Sequence, residues 1–151
     1  MEKILTVIVA ALPVAELRGA IPLAIFRWGI SPFEAYILAV VGNFLPVIPL
    51  LWFWEHAAHR VMAWHPFFHR TFHWVFERTH RKHGKKFEVA KELALFVFVA
   101  IPLPLTGAWT GTVVAYLFGI PFWKAALSIG LGIVVAGILV GVGVGLFAVA
   151  I

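Results

Sequence analysis

The chain has 151 residues and a formal net charge of +5, and its composition is 62% hydrophobic and only 13% charged. Soluble domains carry roughly 25% charged residues, so this composition indicates an integral membrane protein, with residues 1–151 forming one domain. Because the chain contains no cysteine, a disulfide framework, a thiolate metal site and a cysteine nucleophile are excluded, and we expect no cofactor.

Four apolar blocks follow one another along the chain, at about 4–26, 32–54, 93–118 and 120–151. Each is long enough to cross the hydrocarbon of a bilayer, which needs about 20 helical residues. The first begins with MEKILTVIVAALPVA, which partly resembles a signal peptide. Because Glu2 balances the charge at its start and more apolar sequence follows, we expect this stretch to remain part of the folded protein.

The first block is interrupted by proline. Pro13 lies about ten residues into the block, and ten helical residues rise about 15 Å, half the thickness of the hydrocarbon. Proline removes a backbone donor and clashes with the preceding turn, so the helix is predicted to break near mid-membrane. Gly19 and Pro22 are predicted to continue the irregular backbone beyond this break.

Glu16 and Arg18 follow the break within the almost unbroken apolar sequence ALPVAELRGAIPLAI. Ionised side chains are costly in hydrocarbon and are usually kept there for a function. One interpretation is that Glu16 takes and releases a proton while Arg18 binds an anionic group or holds the Glu16 charge between cycles. The alternative is a structural ion pair that locks the tips of two hairpins together.

The second block is predicted to be a full crossing. It carries Asn43 at mid-span, in VVGNFLPVIP. An amide in this position is expected to bond to a hairpin tip, either as structural support or as a substrate contact.

Residues 55–92 form the one soluble-looking segment, which holds eight of the twelve Lys/Arg residues and all seven histidines. Its apolar residues follow a helical spacing, which predicts an amphipathic helix on the membrane surface. Anionic lipid headgroups are the expected partner of its basic residues, ahead of nucleic acid, because apolar segments flank it. The excess of positive charge predicts that this loop is cytoplasmic. The helical spacing comprises Val61, Trp64, Phe68, Phe72 and Val75.

Three histidines of this loop, His65, His69 and His73, are spaced four apart. Imidazoles on one edge of a helix suit zinc or nickel. Pro66 interrupts the helix beside His65, and no cysteine or aspartate assists, so we expect no metal here. The histidines are interpreted as a polar edge whose charge rises below about pH 6.5.

The third block repeats features of the first. AIPLPLTGAWTGTVVAYLFGIPFWKA, from Ala100, matches ALPVAELRGAIPLAIFRWGISPFEA in its start, its small-residue centre and its end, which indicates a duplication. Pro102 and Pro104 again lie about ten residues into the block and predict a second break. Gly107 and Gly111 are predicted to continue its irregular backbone.

Hydroxyls and an indole lie at this second break, on Thr106, Trp109, Thr110 and Thr112. Hydroxyls and freed backbone amides can bind a phosphate or carboxylate, and a helix N-terminus after a break adds a favourable dipole. We expect Thr106 and Thr110 to face Arg18 across a central site. The alternative is that they satisfy the broken backbone.

The last block carries glycines every four residues, at Gly137, Gly141 and Gly145. Such a groove lets another helix pack closely. It serves either packing within the subunit or a dimer, and we expect a homo-oligomer.

These features predict an all-α membrane protein of two inverted repeats, about 1–54 and 93–151, joined by the loop 55–92. Each repeat comprises a re-entrant helical hairpin, which is tolerated where it packs in protein or lines a wet cavity, and one transmembrane helix. The alternative is four kinked spans with parallel repeats. Hairpins place both termini outside the cell, whereas four crossings place both in the cytoplasm.

The motifs AELRGAIPLAI and IPLPLTGAWTGTVVAYLFGIP resemble those of the prokaryotic small multi-drug export protein family, over nearly the whole chain. The resemblance implies a transporter of small compounds in the prokaryotic cytoplasmic membrane. Leu105 departs from the pattern, which has a small residue before Thr106. In outline the chain is also similar to the DedA group, which combines paired re-entrant hairpins with intramembrane acids and arginines and is linked to the movement of phosphorylated lipid carriers.

The expected function is a small proton-coupled secondary transporter with a central polar site at Glu16 and Arg18. The arginine favours an anionic substrate such as a lipid phosphate, in contrast to the family label. The alternative is a non-transporting membrane scaffold in which the charge pair is structural. An enzyme is not predicted, because the sequence offers no paired catalytic carboxylates, nucleophile–base set or phosphate-binding glycine loop.

Overall fold

A computed structural model describes residues 1–62, 85–103 and 106–150 of the chain. Within these ranges the secondary structure is entirely helical. Val61, the first residue of the predicted surface helix, lies in α4. The rest of that helix, Trp64–Val75, lies outside the described residues, as do the histidines at 65, 69 and 73 and the residues Pro104 and Leu105. The described helices are α1 (Glu2–Ala11), α2 (Glu16–Phe26), α3 (Pro32–Phe44), α4 (Val47–Met62), α5 (Lys85–Ala100), α6 (Ala108–Leu117) and α7 (Phe122–Ala150).

The chain breaks twice beside its prolines. Helix α1 ends at Ala11, just before Pro13, and α2 begins at Glu16. Helix α5 ends at Ala100, just before Pro102, and α6 begins at Ala108. Helices α1, α2 and α6 have 10, 11 and 10 residues, which corresponds to a rise of about 15 Å each. None of these three helices is long enough to cross the hydrocarbon of a bilayer alone.

The backbone beyond each break is more regular than the sequence predicts. Gly19 and Pro22 lie inside α2, and Gly111 lies inside α6. Proline removes one hydrogen bond from a helix interior, but Leu17, Ala20 and Ile21 on the same helix are buried in the core. Burial of this apolar face outweighs the loss of one bond, so the irregular backbone is confined to the short connections around Pro13 and Pro102.

Two stretches are long and apolar enough to cross a membrane. They are Pro32–Ala57, with a mean hydropathy of 2.0, and Phe122–Gly145, with a mean hydropathy of 2.5. The first comprises α3 and most of α4. Large apolar side chains remain exposed on both, including Val41 and Leu127, as expected where lipid replaces water as the solvent. Helix α4 continues to Met62 and α5 begins at Lys85, so helices extend into both ends of the predicted loop.

In each half, the first helix runs parallel to the helix that begins the long apolar stretch, which is α3 in the first half and α7 in the second. Lys3 on α1 is paired with Glu34 on α3, and further along both helices a Cβ on Gly42 would meet the backbone of Val7. In the second half, Glu92 on α5 is paired with Lys124 on α7. Each parallel pair of helices therefore carries an ion pair towards its own N-terminal end. The acid lies on the long apolar stretch in the first half and the base lies there in the second half.

The second pair has an equally close crossing. A Cβ on Gly132 of α7 would lie 2.7 Å from Val99 Cβ and 3.0 Å from the Phe96 carbonyl oxygen of α5. Gly42 and Gly132 thus occupy equivalent positions at the crossings of the two halves.

The long helices of the two halves run antiparallel to each other. Tyr36 on α3 donates a hydrogen bond of 3.2 Å to the carbonyl oxygen of Val134 on α7. Further along α3, the ring of Phe44 packs against Gly130, which precedes Val134 in the chain. The core between the halves contains Leu17, Leu95, Val99, Ile129 and Ile133, all buried.

Helices α2 and α6 end in the same way. Gly29 and Gly119 follow them with φ of 63° and 62°, in the left-handed region that favours glycine. The next amide then bonds back into the helix, from Ile30 to the Ala24 carbonyl at 3.0 Å and from Ile120 to the Ala115 carbonyl at 2.9 Å. The matched ends account for the repeated Gly-Ile of the sequence.

Candidate functional site

The site begins at Glu16, the first residue of α2. Its side chain is almost fully buried, with 5% of the residue exposed. Its φ is 46°, in the left-handed region that residues other than glycine seldom adopt. The packing around the first break holds Glu16 in this conformation and aims its carboxylate at the second break.

The Glu16 carboxylate lies at the N-terminus of α6. The backbone amides of Ala108 and Trp109 lie within reach of it, and a Cβ on Gly107 would collide with both carboxylate oxygens. The first amides of a helix have no partner within the helix, and the dipole there favours a negative charge. Glu16, from the first half of the chain, therefore caps a helix of the second half.

Arg18 contacts both its neighbour and the opposite break. Its Nη2 lies 3.1 Å from Glu16 Oε2, and its Nη1 donates a hydrogen bond to the carbonyl oxygen of Leu103. About a quarter of the Arg18 side chain is exposed, with a relative accessibility of 27%. The arginine thus neutralises Glu16 and binds the Leu103 carbonyl, which also accepts hydrogen bonds from the amide and the hydroxyl of Thr106.

Trp109 forms the reciprocal contact. Its indole Nε1 donates a hydrogen bond of 3.0 Å to the carbonyl oxygen of Ala11, the last residue of α1. Each break therefore supplies a side chain that bonds to the backbone of the other. Four hydrogen-bonding groups join the two halves here, from Glu16, Arg18, Trp109 and the α6 backbone.

A small cavity adjoins this junction, with a volume of about 10 Å³, which is enough for about one water molecule. Glu16, Arg18, Asn43 and Gly107 are among its lining residues. Asn43 is 1% exposed, and its Oδ1 has no hydrogen-bond partner among the described residues. A buried amide oxygen without a donor costs about 1–3 kcal/mol, so Asn43 brings an unused acceptor to the cavity.

The threonines of the second break bond to their own segment. Thr106 Oγ1 accepts from the Leu103 amide at 3.1 Å and donates to the Ile101 carbonyl at 2.7 Å. Thr110 Oγ1 donates to the Gly107 carbonyl at 3.3 Å. Neither residue is among the described lining of the cavity. In this structure their hydroxyls bond to the backbone of the second break.

Thr112 connects the second break to the first half. Its hydroxyl donates to the Trp109 carbonyl at 2.7 Å and accepts from the indole of Trp54, on α4, at 3.2 Å. Thr112 is fully buried. This contact fixes α6 against α4.

The glycines of α7 divide into two groups. A Cβ on Gly137 would lie 2.7 Å from the ring of Tyr36, so this position packs within the subunit. Gly141 and Gly145 have open space where a Cβ would lie. Among the residues that the structure describes, no group of three His, Asp or Glu side chains is arranged to hold a metal ion.

Sequence reasoning selected Glu16, Arg18, Asn43 and Trp109 but missed most of their partners. These partners include four backbone groups, the carbonyls of Ala11 and Leu103 and the amides of Ala108 and Trp109. Backbone groups have no residue signature. The available signal was indirect, since proline and glycine mark where carbonyls and amides lose their helical partners.

Comparison with known proteins gives one family. A family model described as "Putative small multi-drug export protein" matches residues 16–139 of the chain. The match begins at Glu16, directly after the first break, and includes the second break, all of Pro32–Ala57 and most of Phe122–Gly145. Searches of curated proteins and of solved structures found no match to this chain.

Proposed function

Since the chain belongs to the small multi-drug export protein family, we propose that it is a small secondary transporter of the membrane, coupled to protons through Glu16. The observation that carries this proposal is the buried Glu16 carboxylate at the junction of the two halves, paired with Arg18 and next to an unused acceptor on Asn43. Ionisable groups at such a position are typical of proton relays and substrate pathways.

The proposed architecture is a pair of inverted repeats. Helices α1 and α2 form one re-entrant hairpin, and α5, α6 form the other, each followed by a long helix that crosses the membrane. The antiparallel course of α3 and α7 supports this arrangement, because inversion requires equivalent helices to run in opposite directions. The short lengths of α1, α2 and α6 also support it, as does the exchanged ion pair of Lys3–Glu34 and Glu92–Lys124.

In this arrangement the hairpins enter from opposite sides and meet near the middle of the bilayer. Glu16 and Arg18 then lie at about half depth, and the connection between α1 and α2 reaches the same depth as the connection between α5 and α6. Protonation of Glu16 weakens its bonds to Arg18 and to the α6 amides. The two tips are then free to separate, which opens a route past Arg18 for the substrate.

The substrate is proposed to be anionic, with a lipid phosphate as the leading class. Arginine remains protonated and its planar fork matches phosphate and carboxylate oxygens. The loop between α4 and α5 is proposed to be cytoplasmic and to bind anionic lipid through its basic residues. The open face of α7 at Gly141 and Gly145 is consistent with a homo-oligomer.

A membrane scaffold is the second candidate. It is favoured by the number of bonds that Glu16 and Arg18 already make to the opposite half, because a purely structural pair would have the same contacts. A scaffold moves no solute, so the two functions differ in flux.

The test is transport in proteoliposomes that contain the purified chain. Fluorescent phospholipid phosphates, small anionic dyes and cationic dyes are offered with and without a pH gradient. Wild type is expected to move at least one anionic probe faster when the gradient is present, whereas Glu16→Gln and Arg18→Ala reduce this flux to background. Matched controls are Glu34→Gln and Arg27→Ala, which alter exposed charges away from the cavity. Background flux in wild type for every probe would favour the scaffold.

A further inference from the structure

We propose that the Glu16 carboxylate occupies the position at which the protein binds a phosphate group, and that protonation of Glu16 exchanges the carboxylate for that phosphate. This exchange rests on the transport function proposed above and specifies both its substrate class and its coupling. The carboxylate acts as a built-in substitute for the substrate.

The groups around Glu16 form a receptor for an oxyanion. Helix α6 has 10 residues, and its amides at Ala108 and Trp109 point to the carboxylate. The Arg18 guanidinium approaches the same carboxylate at 3.1 Å. Backbone amides at a helix N-terminus together with an arginine make a common phosphate-binding arrangement. In this structure the anion that they bind belongs to the chain itself.

Asn43 provides the second half of the exchange. Its Oδ1 is buried and has no donor among the described residues, yet it lines the same cavity as Glu16. An ionised carboxylate can only accept hydrogen bonds, whereas a protonated carboxyl can donate one. The Oδ1 of Asn43 therefore has nothing to gain from the ionised side chain but can accept a hydrogen bond from the protonated one. A protonated Glu16 turned towards Asn43 leaves the α6 amides free.

Charge balance links the proton to the phosphate. Among the described residues that line the cavity, Glu16 and Arg18 are the charged side chains; α3 contributes Asn43, and α7 contributes Ile133 and Ala136. When Glu16 is protonated, the guanidinium of Arg18 is left without a counter-ion in a partly buried place, which is unfavourable until an anion enters. The state of the protein that holds the proton on Glu16 is therefore also the state that binds phosphate.

Because the cavity is small, the Glu16 carboxylate and a phosphate group cannot occupy the site at the same time. Its volume of about 10 Å³ holds a water molecule but not a phosphate group. Phosphate can therefore reach the α6 amides only after the Glu16 side chain has left them. Because the proton and the phosphate are bound together and released together, the protein is a symporter of the two rather than an antiporter.

Binding and proton uptake by the purified full chain in detergent test this exchange. Inorganic phosphate and a short-chain phosphatidic acid are titrated separately, and proton uptake is followed with an indicator dye in weak buffer. Wild type is expected to take up about one more proton per bound phosphate than Glu16→Gln does. Above the pH at which Glu16 ionises, the phosphate affinity of wild type should fall relative to that of Glu16→Gln, by about tenfold for each unit increase in pH.

Arg18→Ala is expected to lose binding of both probes by at least about tenfold, and Arg27→Ala is the matched control that retains it. Binding of phosphatidic acid without inorganic phosphate assigns the group to a lipid headgroup, and the reverse assigns it to free phosphate; either result supports the exchange. Equal proton uptake by wild type and Glu16→Gln would overturn it, as would wild-type protein that binds neither probe.

A measurement on wild type alone tests the exchange even if a variant fails to fold. Infrared difference spectra should show a protonated carboxyl when phosphate is added, and its absence would refute the exchange. The proposed function fails separately. Proton-linked binding with no flux in proteoliposomes would contradict transport and leave the exchange intact, whereas flux without linked proton uptake would contradict the exchange alone.

Discussion

The carboxylate of Glu16 fills the space in which a side chain on Gly107 would lie. Gly107 also has a φ of 155°, at the edge of the backbone region that L side chains avoid. These two residues belong to different halves of the chain, so the fit between them is a contact across the proposed central junction.

Replacing Gly107 by alanine should displace the Glu16 carboxylate from the α6 N-terminus. The loss of these bonds and the backbone strain are expected to lower the free energy of unfolding by about 1–3 kcal/mol, measured as a lower thermal midpoint in detergent. Gly143→Ala is the matched control, because a Cβ there would meet open space. Equal midpoints for both variants would contradict the fit.

Trp109→Phe should remove the bond to Ala11 while keeping an aromatic ring. The Ala11 carbonyl then loses its donor, and leaving such a group unpaired costs about 1–3 kcal/mol. Thermal unfolding measures this loss. Trp123→Phe serves as the control, since Trp123 is 77% exposed and its replacement should change stability little. A junction that does not depend on the indole would show the same midpoint in both variants.

Asn43→Leu separates a functional amide from a structural one. Removing an unpaired buried acceptor is expected to leave stability unchanged or to raise it. If Asn43 receives the protonated Glu16 carboxyl, however, proton-driven flux in proteoliposomes should fall by at least about tenfold. Unchanged flux together with unchanged stability would show that the amide has no part in the cycle.

The exchanged ion pairs predict rescue by charge reversal. Lys3→Glu places two acids together at Glu34 and is expected to destabilise the protein by up to about 1 kcal/mol, because the pair is exposed to solvent. The double variant Lys3→Glu with Glu34→Lys should recover most of this loss, and high salt should reduce the effect. A double variant no more stable than the single one would show that the pair is not coupled.

Much of the fold was predictable because prolines and apolar length act locally. Pro13 and Pro102 mark the ends of α1 and α5, and the length of the second and fourth blocks predicts the two long apolar stretches, the first of which is divided into α3 and α4. The regular helix at Gly19, Pro22 and Gly111 was not predictable from local propensity, because it depends on burial of Leu17 and Ile21 against the other half.

The site was predictable only in part, for a similar reason. Ionised and amide side chains in apolar sequence stand out, which is why Glu16, Arg18 and Asn43 could be selected. Which groups they contact is decided by the meeting of two breaks that are far apart in sequence. The hydroxyl of Thr106 bonds to backbone groups of its own segment. Bonds to nearby backbone require the loss of less conformational entropy than a bond to an arginine far away in sequence.

The central claim, that two half-membrane hairpins meet around Glu16 and Arg18, is tested most directly by labelling single cysteines with a membrane-impermeant thiol reagent in intact cells. The chain has no cysteine, so Lys3→Cys, Arg27→Cys, Glu55→Cys and Phe118→Cys each give one reporter. The hairpins predict that positions 3 and 27 are labelled from outside, whereas positions 55 and 118 are labelled only after the cells are opened. Labelling of position 27 together with 118, and protection of position 3 together with 55, would contradict the account and indicate four full crossings.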